Sequence, residues 1–218
     1  MNEFIEEREE VVAAVRRVYE ADLVGTASGN VSRRIRTGDG DLIAITASRV
    51  PYHRLTMNDV VVVDFDIEPV AGDGVPSSES LSHVAAYRAR PDVNAVIHTH
   101  SPHASAFAVA GLAIPCILDE QVITLGGTVE VADYAPSASE ALAKAAVTAL
   151  GERGAVLLRH HGVLGVGADL EEACAVVELV ERVAKIRHLA TMLGAPTELP
   201  EDVVSREQAV YRMMKGFR

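Results

Sequence analysis

The sequence predicts a single α/β domain, and three observations carry that expectation. The 218 residues are 49% hydrophobic, dominated by Ala, Val and Leu, which is enough to bury one sizeable core. Short runs rich in β-branched residues alternate with stretches of helical period. No internal repeat, low-complexity block or linker rich in Pro, Gly or Ser divides the chain, so one domain is expected over residues 1–218.

The elements follow in order. Phe4, Val11, Val12, Val15, Val18 and Tyr19 recur at helical spacing between charged residues, predicting a first helix over 4–23 that stops near Gly25. The small polar loop GTASGNVS (25–32) leads into a meander of short strands at 30–35, 42–46 and 60–65, separated by GDGD (38–41) and SRVPYHRLTMND (48–59). GDGVPSSES (72–80) breaks the strands, and Ser77 or Ser78 caps a helix that runs to about Arg90, with Pro91 as its stop. DVNAVIHTH (92–100) and GAVLLRHHGVLGVG (154–167) read as two more strands. Between them SASEALAKAAVTAL (137–150) predicts a helix with Ser137 and Glu140 as its capping box. A long amphipathic helix over 170–193 follows, with Asp169 and Glu172 in the same relation. The tail SREQAVYRMMKG (205–216) repeats the device with Ser205 and Gln208.

Charge and cysteine content narrow the function. A net charge of −11 argues against a nucleic-acid or membrane partner, because both need a basic face to displace counterions. The opening MNEFIEEREE is acidic and lacks the apolar stretch of a secretory leader, and no run approaches the ~18 apolar residues of a spanning helix. A cytoplasmic protein is expected. Cys116 and Cys174 are too few for a disulfide framework or a thiolate metal site; both are expected in the core, in a reduced compartment.

The stretch AVIHTHSPH (95–103) ends an apolar run with His98, His100 and His103. In an extended chain alternate side chains share a face, so His98 and His100 stand ~7 Å apart on one side and can converge on one ion. Alone, a His-x-His serves equally well as a polar strand end. A second cluster, Arg159-His160-His161-Gly162, closes another apolar run. A catalytic zinc takes three protein ligands and keeps one position open, a count met by His98, His100 and one of His160 or His161. Glu79, at a presumed helix start, is an ordinary first-turn acid by itself. On the helix just before the histidine strand, it can bring its carboxylate to the same end of the sheet.

These residues resemble the class II aldolase/adducin family, which includes L-fuculose-phosphate aldolase and L-ribulose-5-phosphate 4-epimerase. The landmarks occur in order: GTASGNVS (25–32), ITASRVPY (45–52), PSSE (76–79), RPDVNAVIHTH (90–100), a Gly pair at 126 and 127, and LLRHHG (157–162). The resemblance implies that His98, His100 and His161 bind a divalent metal, usually Zn2+, with Mn2+, Co2+ or Fe2+ as alternatives. It implies that Glu79 ligates the resting metal and becomes the acid/base when substrate arrives, and that Asn30, Ser48, Ser77 and Ser78 cradle a phosphate. It also implies a mainly antiparallel sheet of about nine strands with helices on both sides, assembled as a homotetramer with active sites between subunits.

Two positions depart from the family pattern. Arg49 stands where the phosphate loop ordinarily has Gly, and can grip a phosphate or a substrate carboxylate. In PCILDEQ (115–121), Glu120 occupies the region of the aldolases' second acid/base tyrosine and is the candidate for that role. Tyr211 resembles the family's tail tyrosine, which reaches a neighbouring subunit's site. The expected activity is zinc-dependent aldol cleavage of a ketose 1-phosphate, of fuculose-1-phosphate or 5-deoxyketose-phosphate type, to dihydroxyacetone phosphate and an aldehyde through a metal-stabilised enediolate. A decarboxylase or dehydratase of the same family is the alternative; a 4-epimerase or an adducin-like binding module ranks lower.

Overall fold

The β-branched runs pair into one sheet that the helices cover on both faces. In the computed structural model, residues 3–38 and 40–217 are described; Asp39, in the expected GDGD turn, lies outside them. Helix α1 (Ile5–Glu20) is followed by an antiparallel meander, β1 (Asn30–Ile35), β2 (Leu42–Thr46), β3 (Val60–Val63) and β4 (Pro69–Ala71). Then come α2 (Ser80–Ala89), β5 (Ala95–Thr99), α3 (Pro102–Ala110), α4 (Asp119–Leu125), β6 (Val131–Ala132), α5 (Glu140–Leu150), β7 (Ala155–Leu158), β8 (Gly162–Gly167), α6 (Leu170–Leu193) and α7 (Glu201–Lys215). Strand order is β4-β3-β2-β1-β5-β8-β7-β6, antiparallel throughout except for β6 beside β7.

Alternation explains the layers. Ile43, Ile45, Val61, Val63 and Val96 pack against α2 and α5, whereas Ala44, Val60, Val62, Ala95 and Ile97 pack against α1 and the start of α6. Both faces of these strands are apolar, so the sheet needs helices on each side. A third cluster joins α3, α4 and the middle of α6, through Ala104, Ala108, Leu125, Val176, Val180 and Val183. Cys116 and Cys174 are buried and unbridged, as expected. No helix among the described residues is long and apolar enough to cross a membrane.

The structure corrects several expectations. Eight strands are present among the described residues rather than nine; the isolated bridges Ala47–Pro76 and Ile114–Val129 do not lengthen into strands. Residues 154–167 form a hairpin, not one strand, because the chain turns at 159–161. The N-cap of α2 is Glu79, not Ser77 or Ser78. Ser139 caps α5, accepting from the Leu142 amide at 3.1 Å, which leaves Ser137 for another task. Helix α7 begins after Pro200, so Ser205 and Gln208 sit inside it; Gln208 instead donates to the Gly126 carbonyl. The Asp169 cap of α6 is as expected, accepting from the Glu172 amide at 2.8 Å. Helices α3 and α4 went unread, being short segments of little helical period whose burial comes from neighbouring elements.

Candidate active site

The site forms where β1, β5 and the β7–β8 turn meet the start of α2. Antiparallel pairing sets Asn30 opposite His98, and Leu164 opposite His98 on the other side. His98 is on β5 and His100 follows its end, on the same face two residues along. Turn geometry, rather than strand alternation, separates His160 from His161. His160 takes a left-handed conformation (φ 58°) and lies exposed, its ring 5.9 Å from that of Tyr134, while His161 turns inward.

One ring nitrogen from each of His98, His100 and His161 lies within 4.8 Å of the others. Nε2 of His98 is 2.9 Å from Nε2 of His100 and 3.0 Å from Oε2 of Glu79, whose Oε1 is 3.2 Å from Nε2 of His161. Nδ1–H of His98 donates to the Val163 carbonyl at 2.8 Å, so in the neutral ring the Nε2 lone pair faces the cluster. Converging lone pairs and a carboxylate repel one another unless a proton or cation lies among them. Three imidazoles and a carboxylate form a donor set that can hold a metal ion. Gly162 makes the approach possible: a Cβ there would collide with the Thr99 carbonyl oxygen and stand 2.9 Å from Cδ2 of His100.

Electrostatics favours the ligating forms. Burial lowers His100 to about 4, aided by the neighbouring His98 and His161, and burial likewise lowers His161. Burial alone would raise the Glu79 carboxyl. The hydrogen bond and charge of His98, the Ser137 hydroxyl and the charge of His161 outweigh it and hold the group well below the usual carboxylate range. Ser137 Oγ–H donates to Oε1 at 2.6 Å, and Asn30 Nδ2–H to Oε2 at 3.2 Å.

A cavity of about 200 Å³ opens beside this cluster, lined by Asn30, Ser48, Arg49, Ser77, Ser78, Glu79, His100 and His161, and also by Ser28, Tyr52 and Ser137. All five expected substrate-binding residues therefore line the cavity that also contains His100, His161 and Glu79 on its wall. Arg49 has a φ of 65°, the left-handed region natural to glycine. Asn30 spends its amide on Glu79 and His83, leaving at most one N–H for a phosphate.

Two expected residues are not brought to this cavity within the chain. Glu120 is exposed on α4, 3.5 Å from Arg182, and Tyr211, within α7, is buried with its hydroxyl donating to the Glu152 carbonyl at 2.8 Å. His103, the last histidine of AVIHTHSPH, belongs to the first turn of α3 and pairs with Glu181 at 2.7 Å. Sequence reasoning missed Ser137, whose apparent capping box hid it, and also Ser28 and Tyr52, which lie within the landmarks GTASGNVS and ITASRVPY but were given no role there.

Comparison with known proteins adds to this geometry. Residues 9–188 match the sequence model of the Class II Aldolase and Adducin N-terminal domain. The chain is 35% identical over 196 residues to a 5-deoxy-D-ribulose 1-phosphate aldolase of Bacillus thuringiensis serovar kurstaki, covering 90% of this chain and 91% of that protein. It is 37% identical over 184 residues to an L-fuculose phosphate aldolase of Escherichia coli, covering 84% and 81% respectively. Among solved structures, an L-fuculose 1-phosphate aldolase superposes with a TM-score of 0.89 at 32% identity, covering 95% of this chain and 96% of that one.

Proposed function

The chain belongs to the class II aldolase and adducin family, and on that premise we propose that it is a zinc-dependent aldolase cleaving a ketose 1-phosphate to dihydroxyacetone phosphate and an aldehyde. One observation carries the reading: the Glu79 carboxylate lies between His98 and His161 at the edge of a cavity rimmed by serine hydroxyls and one arginine.

His98, His100, His161 and Glu79 hold the ion in this reading, and a bound divalent ion supplies Lewis-acid stabilisation of the negative charge developing at the substrate carbonyl. Neutral imidazoles leave the ion its full charge. As the C–C bond breaks, the hydroxyl on the carbon that becomes the aldehyde gives up its proton to the acid/base pair. Glu79, once substrate replaces it as a ligand, takes up that proton and returns it to the carbon left with the bonding electrons; its hydrogen bonds to Ser137 and Asn30 aim it. Ser48, Ser77, Ser78 and Arg49 bind the phosphate, a remote anchor whose binding energy positions the reacting carbons. Glu120, as second acid/base, acts from a neighbouring subunit of a homotetramer, since it is exposed and does not border the cavity of its own chain, whereas Tyr211, buried with its hydroxyl on the Glu152 carbonyl, packs α7 within its own chain. No nucleic-acid or membrane partner is involved, and a cytoplasmic location accords with the two unbridged cysteines.

Arg49 supports a second reading. It is the one Lys or Arg bordering the cavity among the described residues, and it would equally hold the carboxylate of a keto- or hydroxy-acid in a decarboxylase. The zinc-loaded protein, incubated with a panel of ketose 1-phosphates, is expected to release dihydroxyacetone phosphate. No such product across the panel, together with turnover of a phosphorylated keto-acid or loss of water, would sink the aldolase reading.

A further inference from the structure

We propose that His83 is a positioning residue that orients Asn30 and, through it, the Glu79 carboxylate; the proposal rests on the reading of Glu79 as the acid/base. Glu79, His83 and Tyr87 recur every four residues along α2 and its cap, on one helix face. Asn30 and Ser32 recur at period two on one face of β1. The two rows interlock through consecutive hydrogen bonds. Asn30 Nδ2 lies 3.2 Å from Glu79 Oε2, Asn30 Oδ1 meets His83 Nε2, His83 Nδ1 is 2.6 Å from Ser32 Oγ, and Ser32 Oγ is 2.8 Å from Tyr87 Oη.

Elementary donor counting fixes the direction of this chain. A carboxylate only accepts, so Asn30 must turn its NH2 to Glu79 and its oxygen to His83. His83 Nε2 therefore carries the proton, and Nδ1 accepts from the Ser32 hydroxyl, which in turn accepts from Tyr87. His83 is fully buried, and burial lowers its pKa to about 3, which keeps the ring neutral as this pattern requires. The row crosses an apolar layer containing Val84 and Ala86, where a polar group without a partner is costly, and each member of the row has one. The asparagine amide interrupts any proton wire, so the row sets geometry and carries no proton to the site. Without the His83 N–H, the Asn30 amide can rotate and present its oxygen to the carboxylate, so that Glu79 loses its aim.

Two substitutions separate donor loss from damage to the fold. His83→Leu removes the donor at similar volume, whereas His83→Gln restores an N–H near the Nε2 position. In zinc-loaded protein, His83→Leu is expected to lower kcat about 10- to 100-fold with KM within about threefold of wild type, and His83→Gln to recover most of the loss at equal zinc content. Equal losses in both variants, or an effect on KM alone, overturn the proposal. Two readouts need no activity. Ring nitrogen-15 spectra of wild type should show a neutral His83 protonated at Nε2 from pH 6 to 8, and an Nδ1–H ring or an imidazolium overturns the proposal. The Asn30 side-chain amide protons should exchange at least about tenfold faster in His83→Leu than in wild type or His83→Gln, and equal exchange also overturns it. If wild-type protein cleaves no ketose 1-phosphate, the proposed function fails, and these two readouts still decide whether His83 orients Asn30.

Discussion

Glu79 is held by groups from four separate segments: Asn30 of β1, His98 of β5, His161 of the hairpin turn and Ser137 of the loop before α5. Only the two histidines were expected beside it: Asn30 was expected to cradle a phosphate, and Ser137 lies 58 residues away with a local pattern that also fits a helix cap. Histidine and carboxylate have different duties here, and mutation should separate them. His100→Ala removes one of three imidazoles and is expected to lose both bound zinc and activity. Glu79→Gln keeps the imidazoles and is expected to retain most zinc while losing about 10²- to 10⁴-fold in kcat, the range of a lost acid/base. Zinc content by atomic absorption beside turnover reads both, and unchanged zinc in His100→Ala would refute the assigned site.

At the scale of elements, the site depends on how closely β8 approaches β5. His161 reaches the cluster because the β7–β8 connection is a tight hairpin, and Gly162 lets that hairpin lie against Thr99 and the imidazoles of His98 and His100. Gly162→Ala is therefore expected to destabilise the protein by about 1–3 kcal/mol through overpacking. It should also weaken zinc binding at least about tenfold by displacing the imidazoles. Urea unfolding and competition with a chelator measure the two effects, and a variant with wild-type zinc affinity would show that the close approach does not shape the site. The hairpin was not legible as such. An apolar run, three polar residues and a second apolar run read as one strand, because period-two patterning does not reveal where a buried chain reverses. The short helices α3 and α4 were equally hidden, since their burial is supplied by α6 and α7 rather than by a periodic face of their own.

At the scale of the whole molecule, Glu120 lies away from the cavity of its own chain, so the proposed homotetramer with sites between subunits has a direct consequence. Co-expressed Glu79→Gln and Glu120→Gln subunits, each inactive alone, are expected to form hybrids in which about one-quarter of the sites combine both intact residues and regain activity. Hybrids as inactive as either parent would remove Glu120 from the mechanism or the site from the interface. The sequence by itself determined the α/β class and picked out His98, His100, His161 and Glu79 as candidates for one site, and its likeness to the family implied a sheet covered on both faces. The class is written in residue types and their periodicity, and the candidate site residues in ordered motifs. Only the tertiary structure decided which hydroxyl caps a helix and which one holds the carboxylate. It alone showed that β7 and β8 fold back as a hairpin, that His83 reaches Asn30 and that Tyr87 reaches Ser32 across an apolar layer. Those are distances between segments remote in sequence, and they are set by how helices and strands pack, which no local pattern contains.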